Sequence, residues 1–202
     1  QRGNPLDYER WASDPGMKSW SYSHCLPYFK KMESCLAGGD SYRGDSGPLV
    51  LERGPGENPL FSAFLKATTE AGYPRTSDVN GYQQEGFGLF DRNIKNGRRW
   101  SAARAYLHPV MHRKNLEVKT NVLTHRVLFE GNRAVGVECE SSRGRETFHG
   151  GEVILSAGAI NSPQLLQLSG VGKPEELRAL DIPVVAEVPA VGENLQDHLE
   201  VY

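Results

Sequence analysis

The rhythm of apolar and polar positions changes part-way along the chain. Over residues 1–110 the apolar residues fall in short helical pieces, separated by glycine- and proline-rich loops. NPLDYERWA offers Asn4 as a cap and Pro5 as the first helical residue. SYSHCLPYFKKMESC predicts an amphipathic helix with Pro27 in its first turn and Leu26, Phe29 and Met32 turned to a core. GPLVLER predicts a short strand. NPLFSAFLKATTEAG is the clearest helix. Asn58 caps it, Pro59 starts it, Leu60, Phe64, Ala67 and Ala71 share a face, and Gly72 stops it. Residues 73–99 are irregular and polar. Ser101 then caps SAARAYL, which ends before Pro109.

Beyond residue 110 the pattern is strand-like. NVLTHRVLFE and AVGVECE are joined by Gly131-Asn132-Arg133, which predicts a hairpin. ETFHGGEVILSA predicts a further pair of strands, PEELRALD a short helix and IPVVAEV a strand. The fold class is therefore α/β. A helical, loop-rich region spans 1–110 and a strand-rich region spans 111–202.

Within the strand-rich region, GAINSPQLLQLSGVG follows the apolar run EVILSA. The strand loses its side chains at SAGA, so a chain segment or a ligand can approach its backbone closely. Asn161 or Ser162 can cap a helix, Pro163 suits its first turn, and Ser169-Gly170 ends it. A helix N-terminus carries unpaired N–H groups and suits a phosphate. Two readings stay open on this pattern, a tightly packed strand–turn–helix and a unit lying against a dinucleotide. The chain holds no GxGxxG, so a pyrophosphate cradle of that kind is not assigned within it.

Composition narrows the function classes. The 202 residues are 38% hydrophobic and 24% charged, with 22 Gly and 12 Pro, which fits a loop-rich globular chain. A net charge of −2 disfavours a nucleic-acid surface, which needs a basic patch. No run reaches the roughly 18 apolar residues of a membrane span. Cys25, Cys35 and Cys139 form no CxxC or Cys/His cluster, so free thiols, a reducing compartment and no metal site are expected. The chain begins at Gln1 without a leader and stops after GENLQDH, and is expected to be a fragment.

The stretch GAINSPQLLQLSGVG also resembles the second signature of the glucose–methanol–choline oxidoreductases. Gly158, Ala159, Ser162, Pro163, Leu165, Leu166, Ser169, Gly170, Val171 and Gly172 fill its specified places. RGNPLDYERW, GRRWSAARAYLHP, RAVGVE and VGENLQDH agree with the same family. Within it, HCLPYFKKME, GYQQEGFG and LQDHLEVY are similar to the members that oxidise choline. The resemblance implies part of an FAD-binding, Rossmann-like domain (the strand-rich half) with a helical, loop-rich region bridging towards the substrate side, all within a larger fold. It implies FAD-dependent oxidation of an alcohol, choline to betaine aldehyde, with an electron acceptor that the residues do not name. It also implies a mitochondrial location with peripheral association to the inner membrane. The family's catalytic histidine and its glycine-rich flavin motif fall outside these residues, so the chain alone is expected to be inactive. Alternatives are a family member acting on another alcohol, a lyase using the flavin structurally, or an inert interaction module.

The resemblance points to four cofactor-binding residues. Ser156, Ala157 and Gly158 form the small-residue strand end that approaches the flavin nucleotide. Thr124 stands where the family usually has a Val whose main chain bonds the adenine, and a backbone contact survives that change. His198 in QDH is expected to join Asn194, Gln196 and Asp197 in a polar turn rather than act as the base, and His108, His112, His125 and His149 are expected on the surface or in packing. Arg98, Arg99 and Trp100 suggest a basic–aromatic stack, and Tyr82, Phe87 and Phe90 suggest a packed loop or a pocket lining.

Overall fold

The computed structural model describes residues 1–197 and 199. The chain divides into two compact units, Gln1–Glu117 and Val118–Tyr202.

In the first unit, α1 (Pro5–Ala12) and α3 (Pro59–Glu70) begin as their sequences predict. Asn4 Oδ1 accepts from the Leu6 N–H and Asn58 Oδ1 from the Leu60 N–H, each at 2.9 Å. The buried face of α3 is not the expected one. Leu60 and Phe64 are 77% and 54% exposed, and Leu65 and Thr68 are buried instead. Thr68 can be buried because its hydroxyl donates to the Leu65 carbonyl within the helix, which leaves a methyl for packing. In α2 (Tyr22–Met32), Pro27 lies inside the helix rather than in its first turn. The helix starts at Tyr22, where the Ser21 carbonyl accepts from the His24 and Cys25 N–H groups, each at 3.0 Å. Leu26 and Phe29 are half-buried and Met32 is exposed.

A small sheet, missed in the sequence, organises this unit. Its order is β1 (Glu33–Cys35), β2 (Leu49–Arg53) and β3 (Asp91–Arg92), with β1 and β2 parallel and β3 antiparallel to β2. Each strand brings a charge to one buried cluster. Arg43, in the β1–β2 loop, lies 2.8 Å from Glu33, 2.7 Å from Asp78 and 2.8 Å from Asp91. Arg2 joins Glu33 at 2.7 Å and Arg53 joins Asp91 at 2.7 Å. Asp91 Oδ2 is within ion-pair distance of Arg43 Nη1 but off its N–H directions, so its attraction is Coulombic rather than a formed hydrogen bond. A short antiparallel pair, β4 (Ile94–Lys95) and β5 (Arg98–Arg99), follows, and Lys95 rather than an arginine lies over Trp100. Ser101 caps a π-helical turn, Ala103–Leu107, by accepting from the Arg104 N–H.

The second unit is built on a three-stranded antiparallel meander, β6 (Leu123–Glu130), β7 (Arg133–Ser141) and β8 (Gly144–His149). The expected β6–β7 hairpin forms, but it closes at Glu130 and Arg133, so the turn is Gly131-Asn132 and Arg133, expected in the connection, is the first residue of β7. The register slips between Thr124 and Arg126, leaving His125 as a bulge, and His125 Nε2 pairs with Glu140 Oε2 at 2.7 Å. After β8 the expected second strand does not form. Residues 152–156 form no regular element and have no strand partner among the described residues, and Ile154 is 79% exposed.

Helix α4 (Gly158–Leu168) packs against β6. It starts before Asn161 and Ser162, and Pro163 is interior. Ser162 does not cap from in front. Its Oγ reaches back from inside the helix to accept the Ala157 N–H at 3.0 Å, and this moves the start to Gly158. After α4 come β9 (Val171–Gly172), α5 (Pro174–Ala179) and β10 (Ala186–Glu187). β9 and β10 pair in parallel, so the run IPVVAEV contributes only its last part to a sheet. Gly170 makes this crossing possible. It has φ +88°, and a Cβ there would stand 2.3 Å from the Pro183 carbonyl oxygen.

Candidate functional site

The second unit carries a cleft of about 590 Å³ between the start of α4 and the loop 190–195. Ala159, Ile160, Ser162 and Pro163 line one side, and Val191, Gly192 and Glu193 the other. Gln167 Nε2 donates to the Val191 carbonyl at 3.3 Å and ties the loop to the helix. The one acidic lining residue, Glu193, is engaged by Lys173 Nζ at 2.5 Å. The cleft is therefore not closed to an anion by an uncompensated carboxylate.

Ser156, Ala157 and Gly158 are exposed at the start of α4, adjoining Ala159 at the cleft. Gly158 has φ +93°, and nothing lies within 4 Å of where its Cβ would be. Its backbone is thus open to close approach. The first-turn N–H groups have no acceptor further back in the helix. Ser162 spends its acceptor on the Ala157 N–H, and its hydroxyl hydrogen has no other partner among the described residues. The donors on offer are the N–H groups of the first turn and the Ser162 O–H, at a helix start, which suits phosphate oxygens.

Thr124 lies on β6, half-buried, with its Oγ1 3.5 Å from Cys139 Sγ. β6 is an outer strand, so the main chain on its side away from β7 faces no further strand among the described residues. One of those outward positions is used by Ser169, whose Oγ accepts from the Val127 N–H at 2.8 Å. Ser169 was expected only to end the helix. The available signal was its place in the signature, between a leucine-rich helix and Gly170.

The remaining candidates scatter. Phe87 packs edge-on against Phe64 and Tyr73, at 5.6 Å from each, and Phe90 is exposed. Tyr82 joins Asp40, Arg75 and Asp78 around a separate hollow of about 380 Å³ in the first unit. His198 lies outside the described residues. Cys35 and Cys139 are buried and Cys25 half-buried, all three free; burial, its largest influence, pushes the Cys35 thiol pKa up. Among the described residues no group of three or more His, Cys, Asp or Glu could hold a metal ion, and no helix is long and apolar enough to cross a membrane.

Comparison with known proteins places the cleft in context. The family model described as GMC oxidoreductase matches residues 1–200. Oxygen-dependent choline dehydrogenase from Staphylococcus xylosus is 58% identical, and that from Staphylococcus aureus (strain Newman) 53%, each over 204 aligned residues. Both alignments cover 100% of this chain and 36% of the relative, so the chain spans about a third of the length of the curated relatives it matches. Among solved structures, pyridoxine 4-oxidase from Mesorbium loti superposes with a TM-score of 0.86 at 33% identity, covering 94% of this chain and 38% of that one. An FAD-dependent oxidoreductase from Chaetomium thermophilum gives 0.83 at 30%, covering 94% and 35%. The fold expected from the resemblance is thus found. The mitochondrial location is corrected, because these curated relatives come from bacteria, which have no mitochondria.

Proposed function

The chain belongs to the GMC oxidoreductase family, and on that premise we propose that it supplies the nucleotide-holding part of an FAD-dependent enzyme that oxidises choline to betaine aldehyde. The observation that carries this reading is the open, small-residue start of α4 beside the 590 Å³ cleft. Ser156 and Gly158, with the Ser162 hydroxyl, would hold phosphate oxygens of the cofactor, and Ala157, whose N–H is taken by Ser162 Oγ, would line them as a small residue. The main chain of β6 at Thr124 would take the adenine, as a nucleobase edge needs one donor and one acceptor side by side. FAD, when bound, supplies the acceptor for the hydride that leaves the alcohol carbon. The work of these residues is binding and orientation, and the base that takes the hydroxyl proton is not among them.

Choline as substrate is supported by the names of the staphylococcal relatives, and the same names support dioxygen as the electron acceptor. The test is made on the full-length protein that contains these residues. It should purify with visible flavin absorbance and consume oxygen when choline is added. A preparation that takes up no FAD sinks the cofactor assignment. A flavoprotein that turns over other alcohols but not choline moves the reading to another substrate of the same family.

A further inference from the structure

Ser169 does more than end a helix. It is 7% exposed, and its hydroxyl is used in both directions. Oγ accepts from the Val127 N–H at 2.8 Å and donates to the Leu165 carbonyl at 2.5 Å. Val127 faces Val137 on β7, yet this N–H points the other way, where β6 has no neighbouring strand among the described residues. The serine therefore stands in for one rung of a missing strand. Among the described residues it makes the side-chain hydrogen bond that joins α4 to β6.

The bond sits between the two supports assigned above. Along β6, the His125 bulge and then Thr124 lie before Val127. Along α4, Gly158 opens the helix that Ser169 closes. Apolar packing alone would hold helix against strand but would tolerate sliding, because it is not directional. A buried N–H···O bond fixes one register.

We propose that Ser169 is a positioning residue for the cofactor nucleotide. By clamping β6 to α4 it sets the spacing between the strand edge that takes the adenine and the helix start that takes the phosphates. The proposal rests on the cofactor reading above. A ligand held at both ends feels that spacing, whereas one held at a single end does not.

The experiment uses the full-length apoprotein and its Ser169→Ala, Ser169→Cys and Ser169→Thr variants. FAD affinity is read from flavin fluorescence quenching on reconstitution. Adenosine, which touches only the strand edge, is titrated as competitor. Ser169→Ala is expected to weaken FAD about tenfold, the scale of one buried hydrogen bond, with adenosine affinity unchanged. Ser169→Cys, a poorer acceptor, should fall between, and Ser169→Thr, which keeps the hydroxyl, should restore FAD to within about threefold of wild type. The choline KM at saturating FAD should not move. Wild-type FAD affinity in Ser169→Ala overturns the proposal and leaves the cofactor reading standing. Equal loss of FAD and adenosine overturns it in favour of general loosening. A wild-type protein that binds no FAD overturns both. Should Ser169→Ala fail to fold, wild-type FAD affinity in Ser169→Cys is the overturning result.

Discussion

Replacing Arg43 by Met should unfold the first unit more readily than any surface change. The guanidinium side chain is 1% exposed and touches three carboxylates, two of which, Glu33 and Asp91, are 4% and 3% exposed. With Arg43 gone, Arg2 still answers Glu33 and Arg53 still answers Asp91, but three carboxylates then share two cations. The surplus falls on Asp78, which is 20% exposed and keeps only Arg53 at 3.7 Å, and leaving the cluster one cation short costs up to about 3–5 kcal/mol. Arg43→Lys keeps the charge but cannot reach three carboxylates with one ammonium, and about half that loss is expected. Urea unfolding followed by tryptophan fluorescence is a suitable assay, because Trp11, Trp20 and Trp100 all lie in this unit. The loss should depend on pH. Burial, the largest influence on Asp91, pushes its carboxyl pKa up, but Arg53 and Arg43 outweigh it and leave it below the usual carboxylate value of 3.8. A depressed folded pKa gives stability that is present above 3.8 and lost as pH falls through the lower folded value. The Arg43→Met deficit should therefore be full at neutral pH and shrink in acid, where protonation removes the surplus charge. A deficit below about 1 kcal/mol at pH 7, the scale of an exposed pair, would refute the argument.

Three other changes probe single contacts. Asn58→Ala removes the Leu60 cap and should cost about 1 kcal/mol in the same urea titration, with Asn58→Gly costing only a few tenths. Gly170→Ala should destabilise the second unit by at least 2–3 kcal/mol, roughly the sum of αL strain and overpacking, since its Cβ meets the Pro183 carbonyl; hydrogen exchange at Val185, whose N–H bonds to Gly170 O, should speed up. Gly158→Val has open space but the same unfavourable backbone region, so it should cost about 1–2 kcal/mol of stability and weaken FAD binding by more than that cost explains. Equal FAD affinity in Gly158→Val and wild type would remove the phosphate role from the α4 start.

What could be read in the sequence was whatever chemistry acts within a few residues. Asn4-Pro5 and Asn58-Pro59 place both helix starts because a cap and a fixed φ are local. Gly131-Asn132 places the hairpin for the same reason. The misses come from contacts across long stretches of chain. Ser162 starts α4 from inside the helix, and no cap pattern shows that. The apolar stripe of α3 is real, but which face is covered depends on what packs there, and Thr68 covers it with a satisfied hydroxyl. The charges at Arg2, Glu33, Arg43, Asp78 and Asp91 are scattered and look like surface residues until the β1–β2–β3 sheet gathers them. At the candidate site, Ser156 to Gly158 were legible as small residues before a helix. Ser169 was legible only as a helix end, since its partner at Val127 is far upstream.

The meander of β6, β7 and β8 has a consequence for the order in which the polypeptide acquires shape. Its strands are consecutive in the chain and joined by two tight turns, so every rung pairs residues close in sequence. Loop closure of that kind is fast and needs nothing synthesised later. Pairing needs no residue beyond His149, so this sheet can form before α4 has docked. The helix then docks on an edge that is already standing, and the Val127 N–H is waiting for Ser169 when it arrives.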